Sequence, residues 1–173
     1  MERINMKTLK NIKKTLMEIA QTLAQNDNIV KLLYNDEPSA LTDPKPDVTL
    51  NQLIDENYIC TCAPTESGIK NQWKNTFLTV LLDSCYFGGQ DDNTSVTYKI
   101  YVSTDEQHVR LNDNKHRLLE LSDEVITTLD GFKLSTAGKI EVKNFAHTML
   151  SEFRFAYAII IGFNDQNPRK VEI

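Results

Sequence analysis

Apolar residues at Ile4, Leu9, Ile12, Leu16, Ile19 and Leu23 recur at steps of three to five. That spacing draws one stripe along a helix over residues 1–23. Lys7, Lys10, Lys13 and Lys14 fall largely off the stripe. Asn26-Asp27-Asn28 interrupts the pattern, and Asp27 or Asn28 can cap a short second helix over 29–34. Pro38, Pro44 and Pro46 then fix φ and remove backbone donors, so 36–48 is expected to be a loop without regular structure. Residues 49–56 read as a helical turn leading into a strand at 58–62, and 63–75 as a polar loop.

The rest of the chain alternates more clearly. Residues 76–87 carry Phe77, Leu78, Val80, Leu81 and Leu82, apolar on both faces in the first half, as in a central strand. The run Gly88-Gly89-Gln90-Asp91-Asp92-Asn93 is turn-rich. Over 95–104, Val96, Tyr98, Ile100 and Val102 share one face, which completes an antiparallel hairpin. Asn112 or Asp113 can cap a helix whose stripe is Leu118, Ser122, Val125 and Leu129, and Gly131 suits a left-handed C-cap. A second hairpin joins 139–146 (Ile140, Val142 and Phe145 inward) to 152–163 (Phe153, Phe155, Tyr157, Ile159 and Ile161 on one face), with His147 in its turn. Residues 164–173 are a polar tail.

These elements predict an α+β fold: a four- to five-stranded, mostly antiparallel sheet of two hairpins, with the N-terminal helix and the helix between the hairpins packed on one face. The expected organisation is an arm at 1–35, a Pro-containing loop insertion at 36–75 and an α/β body at 76–173. The expected core is Leu78, Val80, Leu82, Ile100, Val102, Leu118, Val125, Leu129, Tyr157, Ile159 and Ile161.

Composition adds little to this until it is resolved along the chain. The 173 residues are 40% hydrophobic and 25% charged, with 24 acidic against 19 basic residues and a net charge of −5. That is enough apolar residue for one core, and the acidity argues against a general nucleic-acid binder. Within residues 1–17, however, Arg3, Lys7, Lys10, Lys13 and Lys14 stand against Glu2 alone, a charge of +4 that leaves −9 for the remainder. The molecule is polarised. The arm has no signal-peptide-like apolar run, and the apolar stretch 156–163 is too short to span a bilayer, so assembly in a cytosol and no membrane partner are expected.

Candidate chemistry is sparse. Cys60, Cys62 and Cys85 lack the paired spacing of a zinc site, and Cys60 and Cys62 read as small hydrophobes on one face of a strand. His108 and His116 are eight apart, not the four of a helical metal pair. Asp91-Asp92-Asn93 could attract a cation but lacks the closing glutamate of a calcium loop. Asn93-Thr94-Ser95 matches a glycosylation sequon without a secretory context. No phosphate-binding glycine motif and no nucleophile elbow occurs. The one enzymatic pattern is Glu141-Val142-Lys143, similar to the metal-binding core of PD-(D/E)xK nucleases. In that reading Glu141 and an upstream Asp (Asp83 or Asp130) would hold Mg²⁺, and Lys143 would steady the attacking water. No cofactor is otherwise expected.

The order of segments carries a different signal. Ile29-Val30-Lys31-Leu32-Leu33-Tyr34-Asn35-Asp36 closes a helix before the acidic Pro loop. Asn114-Lys115-His116-Arg117-Leu118 opens the later helix, Asp123-Glu124-Val125-Ile126 continues it, Leu129-Asp130-Gly131 ends it, and Gly138-Lys139-Ile140 enters a strand. This layout resembles the tail terminator (tail completion) and head–tail neck proteins of tailed bacteriophages. The resemblance implies a virion structural protein without enzymatic activity. Its subunits would form a ring, commonly of six, at the head-proximal end of the tail, capping the tube and meeting the neck or connector. Its partners would be further copies of itself, tube or sheath proteins and connector proteins, with DNA only passing through the lumen. The alternatives from other classes are the nuclease and an adaptor that grips an acidic partner with helix 1–23. The expected assembly contacts are Lys7, Lys10, Lys13 and Lys14 on the arm, Gly88, Gly89, Asp91 and Asp92 in the hairpin loop, and Asn164 and Arg169 in the tail.

Overall fold

The computed structural model of the chain describes residues 6–62, 74–87, 94–151 and 154–163. Its first helix, α1 (Met6–Ala24), buries Ile12, Thr15, Ile19, Ala20 and Leu23 and leaves Lys10, Lys13 and Lys14 exposed. Thr15 and Thr22 can lie on the buried side because each hydroxyl donates to a carbonyl one turn back, at 2.9 and 2.8 Å. Helix α2 (Asp27–Tyr34) follows after a tight break. Its cap is Asn26, not Asp27 or Asn28: the Asn26 carboxamide oxygen accepts from the amides of Asn28 and Ile29, while its Nδ2 donates to Glu124 and Thr128 on a distant helix. An aspartate cap could accept in this way but could not donate. α3 (Leu50–Asp55) carries a capping box between Thr49 and Gln52, the geometry expected from Thr-x-x-Gln at a helix start.

Six strands form one sheet. They are β1 (Ile59–Cys60), β2 (Thr76–Phe87), β3 (Thr94–Asp105), β4 (Lys133–Leu134), β5 (Gly138–Ser151) and β6 (Arg154–Phe163), in the order β1-β2-β3-β6-β5-β4. The two expected hairpins are its centre, and β3 pairs with β6 so that Val80, Ile100 and Ile159 lie in one row. The one strand not expected, β4, is only two residues long, too short for any periodicity to announce it. β1 runs parallel to β2, so the sheet is mixed. The strand expected at 58–62 stops at Cys60; Cys60 is buried and Cys62 exposed, so the two do not share a face. His147 lies within β5 and not in a turn, because β5 runs on to Ser151.

Between the hairpins, α4 (Arg117–Leu129) starts later than Asn112 or Asp113 would place it. Asp113 and Asn114 both take φ of 59°, a left-handed pair that no helix can absorb, and Asn112–Asn114 form a 3₁₀ turn. The helix ends as expected, with Gly131 at φ 80° just beyond it.

α1, α2 and α4 cover one face of the sheet. The core runs without a break from Ile12, Ile19 and Leu23 through Ile29, Leu32 and Leu33 to Ile100, Val125, Leu129 and Ile159, so both N-terminal helices share the core of the sheet body. Of the expected core residues, Leu82 is 40% exposed and Tyr157 only half-buried, because the helix layer ends short of them. Ile159→Ala is therefore expected to cost about 2–5 kcal/mol and Leu82→Ala under about 1 kcal/mol, read from urea midpoints at a dilution where the chain sediments as single copies.

Candidate functional site

The most constrained side chain in the described structure is Arg117, at the first position of α4 and fully buried. The C-terminus of α2 leaves carbonyls without helical partners, and the Pro loop beyond it has few amides to offer them. Arg117 supplies the missing donors. Its Nη1 donates to the carbonyls of Leu32 and Asn35 at 2.9 and 2.6 Å, and its Nη2 to those of Asp36 and Glu37 at 2.9 and 2.8 Å. Nε donates to the carbonyl of His108 at 2.8 Å, so all five N–H donors of the guanidinium are used. Burial pulls this guanidinium below its usual range, while Asp36, Asp105 and Glu37 pull it back up. The positive charge also faces the negative end of the α2 dipole.

A polar chain continues from there along one end of the sheet. The Asn75 Nδ2 donates to Asp36 Oδ2 at 2.7 Å and lies 3.5 Å from His108 Nε2. His108 meets Asp105 through both its amide (3.0 Å) and its Nδ1 (2.5 Å). Arg154, paired across the strands with Asp105, donates to the carbonyls of Lys74 and Asn75 and stacks 5.3 Å over the Phe77 ring. A carboxylate-oriented imidazole is present here, but its second nitrogen faces Asn75 and not a hydroxyl or thiol nucleophile. The arrangement joins chain segments. Next to it, Glu106, Gln107, Val109, Arg110, His116 and Phe155 line a cleft of about 420 Å³.

A separate clamp holds α1. Glu18 accepts from the amides of Ser135 and Thr136 at 2.6 and 3.2 Å and from the Thr136 hydroxyl at 2.6 Å. The Thr15 hydroxyl lies 2.9 Å from the same Thr136 oxygen. Burial alone would raise the Glu18 carboxyl, but these hydrogen bonds outweigh it and hold the group below its ordinary value. Cys60 is chemically quiet, since burial, with Cys62 adding to it, pushes its thiol up to about 12.

Among the described residues singled out from sequence for the nuclease reading, only Asp130, Glu141 and Lys143 come near one another. Lys10, Lys13 and Lys14 are exposed on one end of α1, and Lys7 lies in the same helix. Gly88, Gly89, Asp91, Asp92, Asn164 and Arg169 lie outside the described residues. Glu141 and Lys143 form an ion pair with each other on β5. Asp130 binds the Val142 amide at 3.0 Å, and Asp83 pairs with Lys99 at 2.6 Å on β2, three strands or ~14 Å from β5 at ~4.8 Å per strand. Among the described residues, no three His, Cys, Asp or Glu side chains come close enough to hold a metal ion. Arg117 is the residue that sequence reading missed. Its signal is faint: an Arg opening a helix where acidic residues are favoured, downstream of a Pro loop short of donors.

One family model, YomW, matches residues 26–161, from the α2 cap into β6. No curated protein matches the chain.

Arg117→Met should destabilise the chain by about 3–5 kcal/mol in urea unfolding, because it strands four carbonyls at the α2 end and one at His108. Arg117→Lys should recover only part of this, having three donors and no planar fork. Glu18 has a lowered folded-state value, so its contribution is full above its ordinary value near 4.5 and disappears as pH falls through the lowered one. The stability gap between the wild type and Glu18→Gln should then be largest at neutral pH and close in acid, as followed by urea midpoints across pH.

Proposed function

The chain belongs to the YomW family, and we propose that within it the protein is a structural subunit of a phage particle: a tail terminator that assembles as a ring at the head-proximal end of the tail and joins it to the connector. One observation carries this reading. The two sequence segments that most specifically resemble terminator and neck proteins, 29–36 and the helical run 117–126, are joined by a single guanidinium. Arg117 from the second donates to the carbonyls of Leu32, Asn35 and Asp36 from the first. The two segments that carry the resemblance therefore meet in the fold at a buried joint.

Other features are consistent with it. The polar network ties segments together, and the charged surface is divided between an exposed lysine cluster on α1 and a body that is acidic overall. A subunit of this kind acts through its contacts, with ring copies, tube or sheath proteins below and connector proteins above. An acidic lumen would let DNA pass without adhering. The ring lies in the virion and assembles in the host cytoplasm.

Mass spectrometry of purified particles should find the chain in stoichiometric, low copy number in the tail fraction. Disrupting its gene should yield tails of uncontrolled length that are not joined to heads. Absence from particles, or normal virions without the gene, would sink the proposal. Enrichment with heads rather than tails would move the subunit to the neck.

A further inference from the structure

We propose that copies of this chain join edge to edge through the sheet, β5 of one copy adding to β2 of the next. The inference rests on the reading of the chain as a self-assembling subunit, and supplies the surface by which it assembles.

Each outer strand caps only part of its neighbour. β4 pairs with Lys139 and Gly138 alone, and the Asp130–Gly131–Phe132 turn reaches no further along β5 than Val142. From there on, among the described residues, the outer edge of β5 has no partner strand. Within 143–149 every side chain but the half-buried Thr148 is exposed, so this stretch is open on both faces as well as on its edge. Edge strands are ordinarily guarded by charge, proline or shortness. Residues 144–151 carry no Lys, Arg, Asp, Glu or Pro. On the far side, β1 pairs with Leu78 and Thr79 only, and the described residues supply no outer partner to β2 after them.

Both open stretches expose apolar side chains, and on the same face. Leu82 pairs with Tyr98, Phe145 with Ile159 and Met149 with Phe155, all toward the helix layer. Leu82, Phe145 and Met149 are 40, 40 and 56% exposed, half of the six large hydrophobics exposed among the described residues. Direction fits too. β2, β3, β6 and β5 are successively antiparallel, so a neighbour in the same orientation brings its β2 antiparallel to β5. Backbone groups then pair, and the three apolar side chains come together on one surface. A twofold β5-to-β5 contact would leave Leu82 uncovered.

The geometry also sets an offset. Ala146, at the middle of the open part of β5, lies in the row of Ala158, Tyr101 and Thr79, whereas the open part of β2 is centred near Ser84. Pairing the two shifts each copy along the strands by about five residues, ~16 Å at ~3.3 Å per residue. The contact is heterologous, and it closes into a ring when the rotation per step divides a full turn and the offset has no component along the ring axis.

Sedimentation velocity on the full chain over a concentration series tests this. The wild type should form multimers, while F145K/M149K and L82K should each be monomeric with unchanged circular dichroism. Mixed one to one, the two variants should form dimers and nothing larger, since each retains the edge the other lacks. Multimers of L82K at wild-type mass, a mixture that stays monomeric, or a wild type monomeric throughout would each overturn edge joining. Should a variant misfold, amide exchange of the wild type decides: slowing at 143–149 and 81–85 with rising concentration supports the joint, and unchanged exchange overturns it. The outcomes separate from those of the terminator reading. Particles that incorporate both variants would overturn edge joining alone, and edge joining by a chain absent from particles would overturn the terminator reading alone.

Discussion

The guanidinium of Arg117 sits without exposure where the end of α2, the Pro loop and the approach to α4 meet. A buried charge is costly unless every donor is matched and the geometry is close to ideal. Here five carbonyls from three segments meet that demand. None of them could move far without stranding a donor. The Pro loop gains its order this way: prolines deprive it of amides, so its carbonyls turn inward to a side chain 80 residues downstream. The Asn112 amide, which donates to the Pro38 carbonyl at 2.9 Å, adds a second tie from the same side.

With that joint in place, the rest of the architecture follows. α2 is held at its C-terminus by Arg117 and at its N-terminus by Asn26, whose carboxamide reaches Glu124 and Thr128 on α4. The helix layer is thereby fixed as a unit over the centre of the sheet. Its extent leaves the end of β5 and the later part of β2 beyond its cover. The surfaces proposed for assembly are thus what remains when a rigid helix layer is shorter than the sheet it covers. Glu18 does for α1 what Arg117 does for α2, with the opposite charge and at a less buried site.

Much of this was legible in the residues. The α1 stripe, the hairpin β2–β3, the helical turn at 49–56 and the stop at Gly131 are local signals, each readable within one or two turns of chain. The sheet exceeds the expected four to five strands because Lys133–Leu134 exists only as the partner of a longer strand. Leu82 read as core because alternation marks a face and not how far the covering layer reaches. Glu141 and Lys143 were legible only as a spacing along one strand; that they pair with each other, with Asp130 at the intervening Val142 amide, is a tertiary outcome.

The sequence by itself determined the α+β class, the hairpins, the principal helices and the division into a basic arm and an acidic body. These depend on periodicity, turn residues and charge, which are properties of neighbours along the chain. Only the tertiary structure decided which Asn caps α2, where α4 begins, and that Arg117 is buried at the junction of three segments. It alone left one edge of β5 and one of β2 open on opposite sides of the sheet. Those outcomes depend on groups far apart in sequence satisfying one another's hydrogen bonds, and no local pattern encodes such a match.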